Sequence, residues 1–222
     1  MGLNTPQSKQ GNLVRYGVYL FLYLIVIACK TWGLWGKKLH IAGEVFFILI
    51  SLGVLYFYIR QYNHEQRYFE QRFSLPLLAD YGFTIGMSIL VIVSRFIVSY
   101  LQAQGHLATA YFQLTYAESD SKPLFWFLIF CIGLLLPVLQ IFLSTGFFFN
   151  YYFRSQDLVS AIAGIIFSGI FFGVLNFQFS ISLLVINSLS GMLFAWAYMY
   201  TQTIAMPIYL AVLNGMFMVV LA

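Results

Sequence analysis

After Asp157 the chain carries no Asp, Glu, Lys, Arg or His, although it continues through long apolar runs to Ala222. A stretch this poor in ionisable groups has little to offer water. It folds where apolar side chains face lipid or one another. The rest of the chain points the same way. Over 222 residues 61% are hydrophobic and 8% charged, where a soluble domain is about a quarter charged. The apolar runs are continuous, without the apolar/polar alternation of an outer-membrane barrel, so helices are indicated.

Seven helices are expected, near residues 13–32, 43–59, 78–101, 124–149, 158–175, 180–200 and 204–222. The second and fifth are short for a bilayer core that takes about 20 apolar residues. The fold class is therefore all-α, a polytopic helical membrane protein. Residues 1–12 form a polar N-terminal tail and 13–222 a single transmembrane domain. No small-residue cleavage site follows the first apolar run, which is expected to remain as a helix. The last run ends at Val219–Val220–Leu221–Ala222 with no polar flank, which suggests a chain trimmed at a domain edge.

Two polar connections stand out, 60–77 and 102–123. The first, with Arg60, Glu65, Arg67, Glu70 and Arg72, has the look of a helix lying in the interface. Six Lys/Arg fall on the N-terminal side of the membrane and four on the other, so a cytoplasmic N-terminus is expected. The net charge of +4 suits loops lying on anionic lipid; no aromatic-interleaved basic patch speaks for nucleic acid. Cys29 and Cys131 lie within apolar runs and read as packing residues.

Three patterns in the last third bear on function. Ser144 to Tyr152, Ser-Thr-Gly-Phe-Phe-Phe-Asn-Tyr-Tyr, is a Phe-rich helix end followed by a short loop. Phe171-Phe172-Gly173-Val174-Leu175-Asn176 follows about twenty residues later. Met206-Pro207-Ile208-Tyr209-Leu210-Ala211-Val212-Leu213-Asn214-Gly215 lies beyond a Gly-containing aromatic helix, Leu189 to Tyr198. In cadence and spacing this region, with a core over about 124–222, resembles the CPBP (Abi) family of membrane proteins. That family includes type II CAAX prenyl proteases and bacteriocin-processing or immunity proteins.

Active members carry Glu-Glu-x-x-x-Arg, then Phe-x-x-x-His, then His-x-x-x-Asn/Asp. The resemblance sets Thr145 and Gly146 at the glutamates and Asn150 at the arginine. It sets Phe172 and Asn176 on the second motif, Ala211 at the later histidine, and Gly215 at the last position, with Asn214 one residue out of register. The resemblance thus implies a CAAX-protease-like bundle without its catalytic groups. Thr and Asn cannot exchange a proton near neutral pH, which general-base work requires.

Nothing elsewhere replaces them. His40, His64 and His106 precede the core, no HExxH spacing exists for a metal, and no cofactor motif is present. Serines on apolar helices, such as Ser144 and Ser168, are expected to bond backbone or a neighbouring helix. Asn150, Asn176, Asn187, Asn214, Gln140 and Gln178 are expected to bond between helices, at roughly 0.6–2 kcal/mol each. The competing reading is a relict polar cavity where Asn150, Asn176 and Asn214 converge. Gly164, Gly169, Gly173 and Gly191 suit close helix packing. Arg95 is the one charge inside a span, and snorkelling to the interface is the simplest account of it; a buried pair with Asp80, Glu118 or Asp157 is the other.

The function expected from this is binding. A non-catalytic CPBP-like protein of a bacterial plasma membrane would sit in membrane lipid and scaffold or regulate a membrane-anchored partner, such as a cell-surface or cell-wall enzyme. The alternatives are an intramembrane protease or lipid-modifying enzyme with an unconventional site, and a bacteriocin-immunity protein.

Overall fold

The computed structural model describes residues 8–35, 40–65, 69, 81–119, 121–153 and 157–221, with 118 and 119 described by backbone alone. Every regular element among these is helical: α1 Lys9–Gly33, α2 Ile41–His64, α3 Tyr81–Ala103, α4 Tyr111–Ser119, α5 Lys122–Tyr152, α6 Leu158–Leu175, α7 Ile181–Thr201 and α8 Ala205–Val220. Six of them are long and apolar enough to cross a membrane, and α8 is a shorter apolar helix. The chain is a polytopic helical membrane protein.

The second helix is longer than its apolar run suggests. It continues through Arg60 to His64, so α2 has 24 residues and spans comfortably. At 18 residues α6 stays short, and α8, with 16, is shorter still at about 24 Å. The expected interface helix, with Arg67, Glu70 and Arg72, falls largely outside the described residues. The 102–123 connection carries the short helix α4.

Helix α1 begins earlier than its hydropathy, because Ser8 caps it by accepting from the Gly11 N–H at 3.1 Å. Its buried stripe is Asn12, Tyr16, Tyr19, Tyr23 and Val26, a spacing of alternating four and three that keeps one face inward. Helix α2 turns back against it at a glycine contact. A Cβ on Gly43 would lie 2.6 Å from Gly33 Cα, so the two backbones touch where the hairpin closes.

Helix α5 is the hub. Of its most apolar window 78% is buried, against 22–28% for α1, α2 and α3, which leave wide faces for lipid. Pro123 sits in its first turn, and Ser121 Oγ caps it by accepting from the Leu124 N–H at 3.3 Å. Two stretches, Ile129–Leu135 and Phe142–Phe147, widen to π geometry. The first leads into Pro137, which has no N–H to give the ladder, and Leu136 reaches back five residues to the Cys131 carbonyl.

Helices α6 and α7 pack backbone to backbone. A Cβ on Gly169 would come within 2.3 Å of Met192 Cγ and 2.6 Å of Met192 N; one on Gly173 would meet Ser188 Oγ at 2.3 Å and the Leu184 carbonyl at 2.9 Å. From the other side, a Cβ on Gly191 would stand 2.9 Å from Gly169 Cα. These are three of the four glycines the sequence marks for close packing. Gly169→Leu is therefore expected to lower the thermal midpoint in detergent, at a cost of about 1–3 kcal/mol for overpacking. Gly53→Ala, where nothing lies within 4 Å, is expected to leave the midpoint unchanged or raise it slightly. Equal midpoints for the two variants would refute the close contact.

Candidate functional site

Where α5 is widened ahead of Pro137, α8 crosses it. A Cβ on Gly215 would stand 2.6 Å from the Ile132 carbonyl and 3.0 Å from Pro137 Cγ, so only glycine lets the helices meet there. Beside this crossing α6 ends. The Leu175 carbonyl, orphaned by the helix terminus, accepts from Tyr23 Oη at 2.8 Å and Gln140 Nε2 at 3.3 Å, and Gln140 also donates to Tyr23 Oη at 2.9 Å. Phe177 then takes the left-handed region at φ 49°, unusual for a bulky side chain and a mark of local strain.

These elements enclose a cavity of about 960 Å³, at the upper end of the usual range for small-molecule sites. It runs from Tyr23 and Gln140 in mid-bundle to a rim of Lys30, Trp35, Tyr111, Phe179 and Ser180 on the side opposite the N-terminus. Its walls are mainly apolar, with Ile132, Leu136, Phe172, Leu183 and Met218 among them. Gln140, Asn176, Gln178 and Asn214 supply amides. Among the described residues that line it there is no Asp, Glu or His.

Of the positions singled out in the sequence, Phe172, Asn176, Ala211, Asn214 and Gly215 all line this cavity. Asn176 donates its amide to the Phe172 carbonyl at 2.9 Å, binding it to the preceding helical turn. Thr145, Gly146 and Asn150 lie elsewhere. Thr145 Oγ1 is 3.3 Å from Ser168 Oγ, and Ser168 donates to the Ser144 carbonyl at 2.6 Å. Ser168 is two turns before Asn176 on α6, about 12 Å along the axis. Gly146 packs against Ile204 and Tyr62, and Asn150 is buried near the far end of α5. Ser168 thus bonds a neighbouring helix, as expected, while the Ser144 hydroxyl stands 3.5 Å from Thr145 on its own helix. At the level of Asn176 and Asn214, α5 contributes Leu136, Pro137 and Gln140 instead.

Two features escaped the sequence reading. Arg95 does not snorkel. It is 5% exposed; its Nε donates to Asn214 Oδ1 and its Nη2 to Asn187 Oδ1 at 3.4 Å. Its partners are amides, so neither Glu118, described by backbone alone, nor Asp80, outside the described residues, enters the observed contacts, and Asp157 caps α6 by accepting from the Ser160 N–H. Only the single Asn on each of α7 and α8, within otherwise apolar helices, hinted at it.

The second feature is Glu65, which the sequence places in a polar loop. Its carboxylate is buried at the N-terminal side of the bundle, where Oε1 accepts from Tyr19 at 2.6 Å, from Tyr151, from Gln61 Nε2 at 3.0 Å and from Arg15 Nη1 at 3.5 Å. One oxygen thus ties α1, α2 and α5 together. Among the described residues no group of three His, Cys, Asp or Glu stands close enough to hold a metal ion.

The part of the chain that supplies most of this mainly apolar cavity also has a match among protein families. Residues 120–217 match the family model described as type II CAAX prenyl endopeptidase Rce1-like. Comparison with curated proteins gives no match, and comparison with solved structures gives none.

The Glu65 junction yields a direct prediction. Glu65→Ala leaves two buried tyrosine hydroxyls without their acceptor, and the unfolding free energy is expected to fall by on the order of 3 kcal/mol. Glu65→Gln keeps an acceptor oxygen and is expected to lose less. Denaturation in detergent checks both; an unaltered midpoint for Glu65→Ala would show the junction to be unimportant.

Proposed function

We propose that this protein works by binding, as a non-catalytic Rce1-like membrane protein that positions or regulates a membrane-anchored partner, a cell-surface or cell-wall enzyme being the expected class. The reading rests on the chemistry of the cavity. The name of the matched family denotes an endopeptidase, and hydrolysis needs a group that takes and returns a proton near the working pH. Around this cavity the family-like positions carry Asn176, Ala211, Asn214 and Gly215, and α5 brings Leu136, Pro137 and Gln140. Amides orient and hydrogen-bond; they do not act as general bases.

The partner side of the proposal is supported by shape. Helices α1, α2 and α3 precede the family-matched region and present broad apolar faces, with Ile85, Ile89 and Phe96 of α3 all more than half exposed. Such faces suit lateral docking of another membrane helix, where packing replaces the hydrophobic effect as the driving force.

Two measurements on the protein purified from its native membrane in mild detergent test this. One membrane-anchored protein is expected to co-elute in near-stoichiometric amount, and to be lost when Ile89→Trp roughens the α3 face. Cleavage of a prenylated CAAX peptide is expected to stay at the buffer rate. Cleavage that disappears in Asn176→Ala, with the fold intact, would replace this reading with an enzymatic one.

A further inference from the structure

We infer that the cavity binds an anionic amphiphile, an acyl chain whose carboxylate or phosphate head is received by the side-chain NH2 groups of Asn214 and Gln178. The inference begins with Arg95, a donor-only group that cannot be deprotonated in ordinary conditions. Because a guanidinium only donates, the oxygens of Asn214 and Asn187 must face it, which fixes both amides without ambiguity. Asn187 in turn donates Nδ2 to Gln178 Oε1 at 3.3 Å. The relay therefore has a direction: it starts at a cation and runs through amide oxygens to amide NH2 groups. Its two ends, Asn214 Nδ2 and Gln178 Nε2, belong to cavity-lining residues and meet no acceptor among the described residues.

Gln140 has the opposite polarity. It uses its NH2 on Tyr23 and Leu175 and leaves its oxygen unused, so among the lining amides the free NH2 groups are those of Asn214 and Gln178. Donors polarised by a buried cation bind an anion more strongly than a neutral acceptor.

Charge counting agrees. Arg95 forms no ion pair among the described residues, and an uncompensated guanidinium buried within a membrane helix is costly. Lys30, half-buried at the rim, is a second cation lining the same space, and no carboxylate lines it among the described residues. The missing negative charge is thus to be supplied by an occupant. Apolar walls and a volume of about 960 Å³ select one with a hydrocarbon chain.

This does not rest on the protein partner proposed above: a chain that elutes alone and still selects anionic lipid fails that proposal and not this one. The test titrates the full chain, in uncharged detergent, with oleate and with phosphatidylglycerol, using oleyl alcohol and phosphatidylcholine as controls and native mass spectrometry as the readout. At least one anionic ligand is expected to bind about tenfold or more tighter than its control. Selection of oleate assigns a carboxylate head, and selection of phosphatidylglycerol a phosphate; equal binding of anionic and control ligands overturns the inference.

Asn214→Asp supplies Arg95 with a carboxylate inside the protein. It is expected to keep the thermal midpoint while abolishing the anionic preference. Gln178→Leu, at a half-buried loop position, is expected to weaken the anionic ligand and leave oleyl alcohol unaffected, and it serves should the first variant not fold. An anionic preference that survives both substitutions, or an equal loss for ligand and control, contradicts the assignment.

Discussion

Within hydrocarbon no water satisfies a stray donor or acceptor, and the interior of this bundle is organised around that restriction. Helix α5, the most enclosed of the spans, leaves its ladder irregular at two π stretches and at Pro137. Side chains from other helices repair what such irregularities expose. Tyr16 donates to the Leu143 carbonyl, Ser168 to the Ser144 carbonyl, and Tyr23 with Gln140 to the Leu175 carbonyl at the end of α6. Each repair fixes one helix against another. The tyrosines of α1 are therefore structural pins as much as apolar bulk, and the cavity is what remains where α6 stops short of the opposite rim and α8 crosses α5 at Gly215.

The helical membrane fold was legible in the sequence because apolar length is a global signal. Nearly every span can be read from hydropathy alone, and Gly169, Gly173 and Gly191 announced the tight contact of α6 with α7. Ends were less legible. Helix α2 runs on through Arg60 to His64 because Tyr58 and Tyr62 continue its buried stripe and pull a polar segment into the bundle. Hydropathy averages cannot see that continuation.

The site was half legible. Phe172, Asn176, Ala211, Asn214 and Gly215 were drawn together by motif cadence, and they share one cavity. Thr145, Gly146 and Asn150 follow a Phe-rich cadence at a helix end, and the fold places that end well below the cavity, beside Ser168 and Tyr62. What brings Gln140 level with Asn176 is the vertical stagger of α5 and α6, which a one-dimensional spacing does not encode. Arg95 and Glu65 were misjudged for one reason: a charged residue near a predicted boundary looks solvated until its partners, remote in sequence, are known. Asn214 lies 119 residues from Arg95, and Tyr151 86 from Glu65.

The family match and the cavity's chemistry lead to one account. Residues 120–217 match the Rce1-like family model, and the amides that line the cavity have the chemistry to orient and hydrogen-bond a ligand but not to act as general bases. Arg95 gives that cavity a sign. A high-resolution cryo-electron microscopy map of the protein extracted directly into lipid nanodiscs tests this most directly. The account predicts elongated density in the cavity, ending within hydrogen-bond distance of the Asn214 and Gln178 amides. A water-filled cavity, with Arg95 turned from Asn214 towards a carboxylate of the chain, would contradict it.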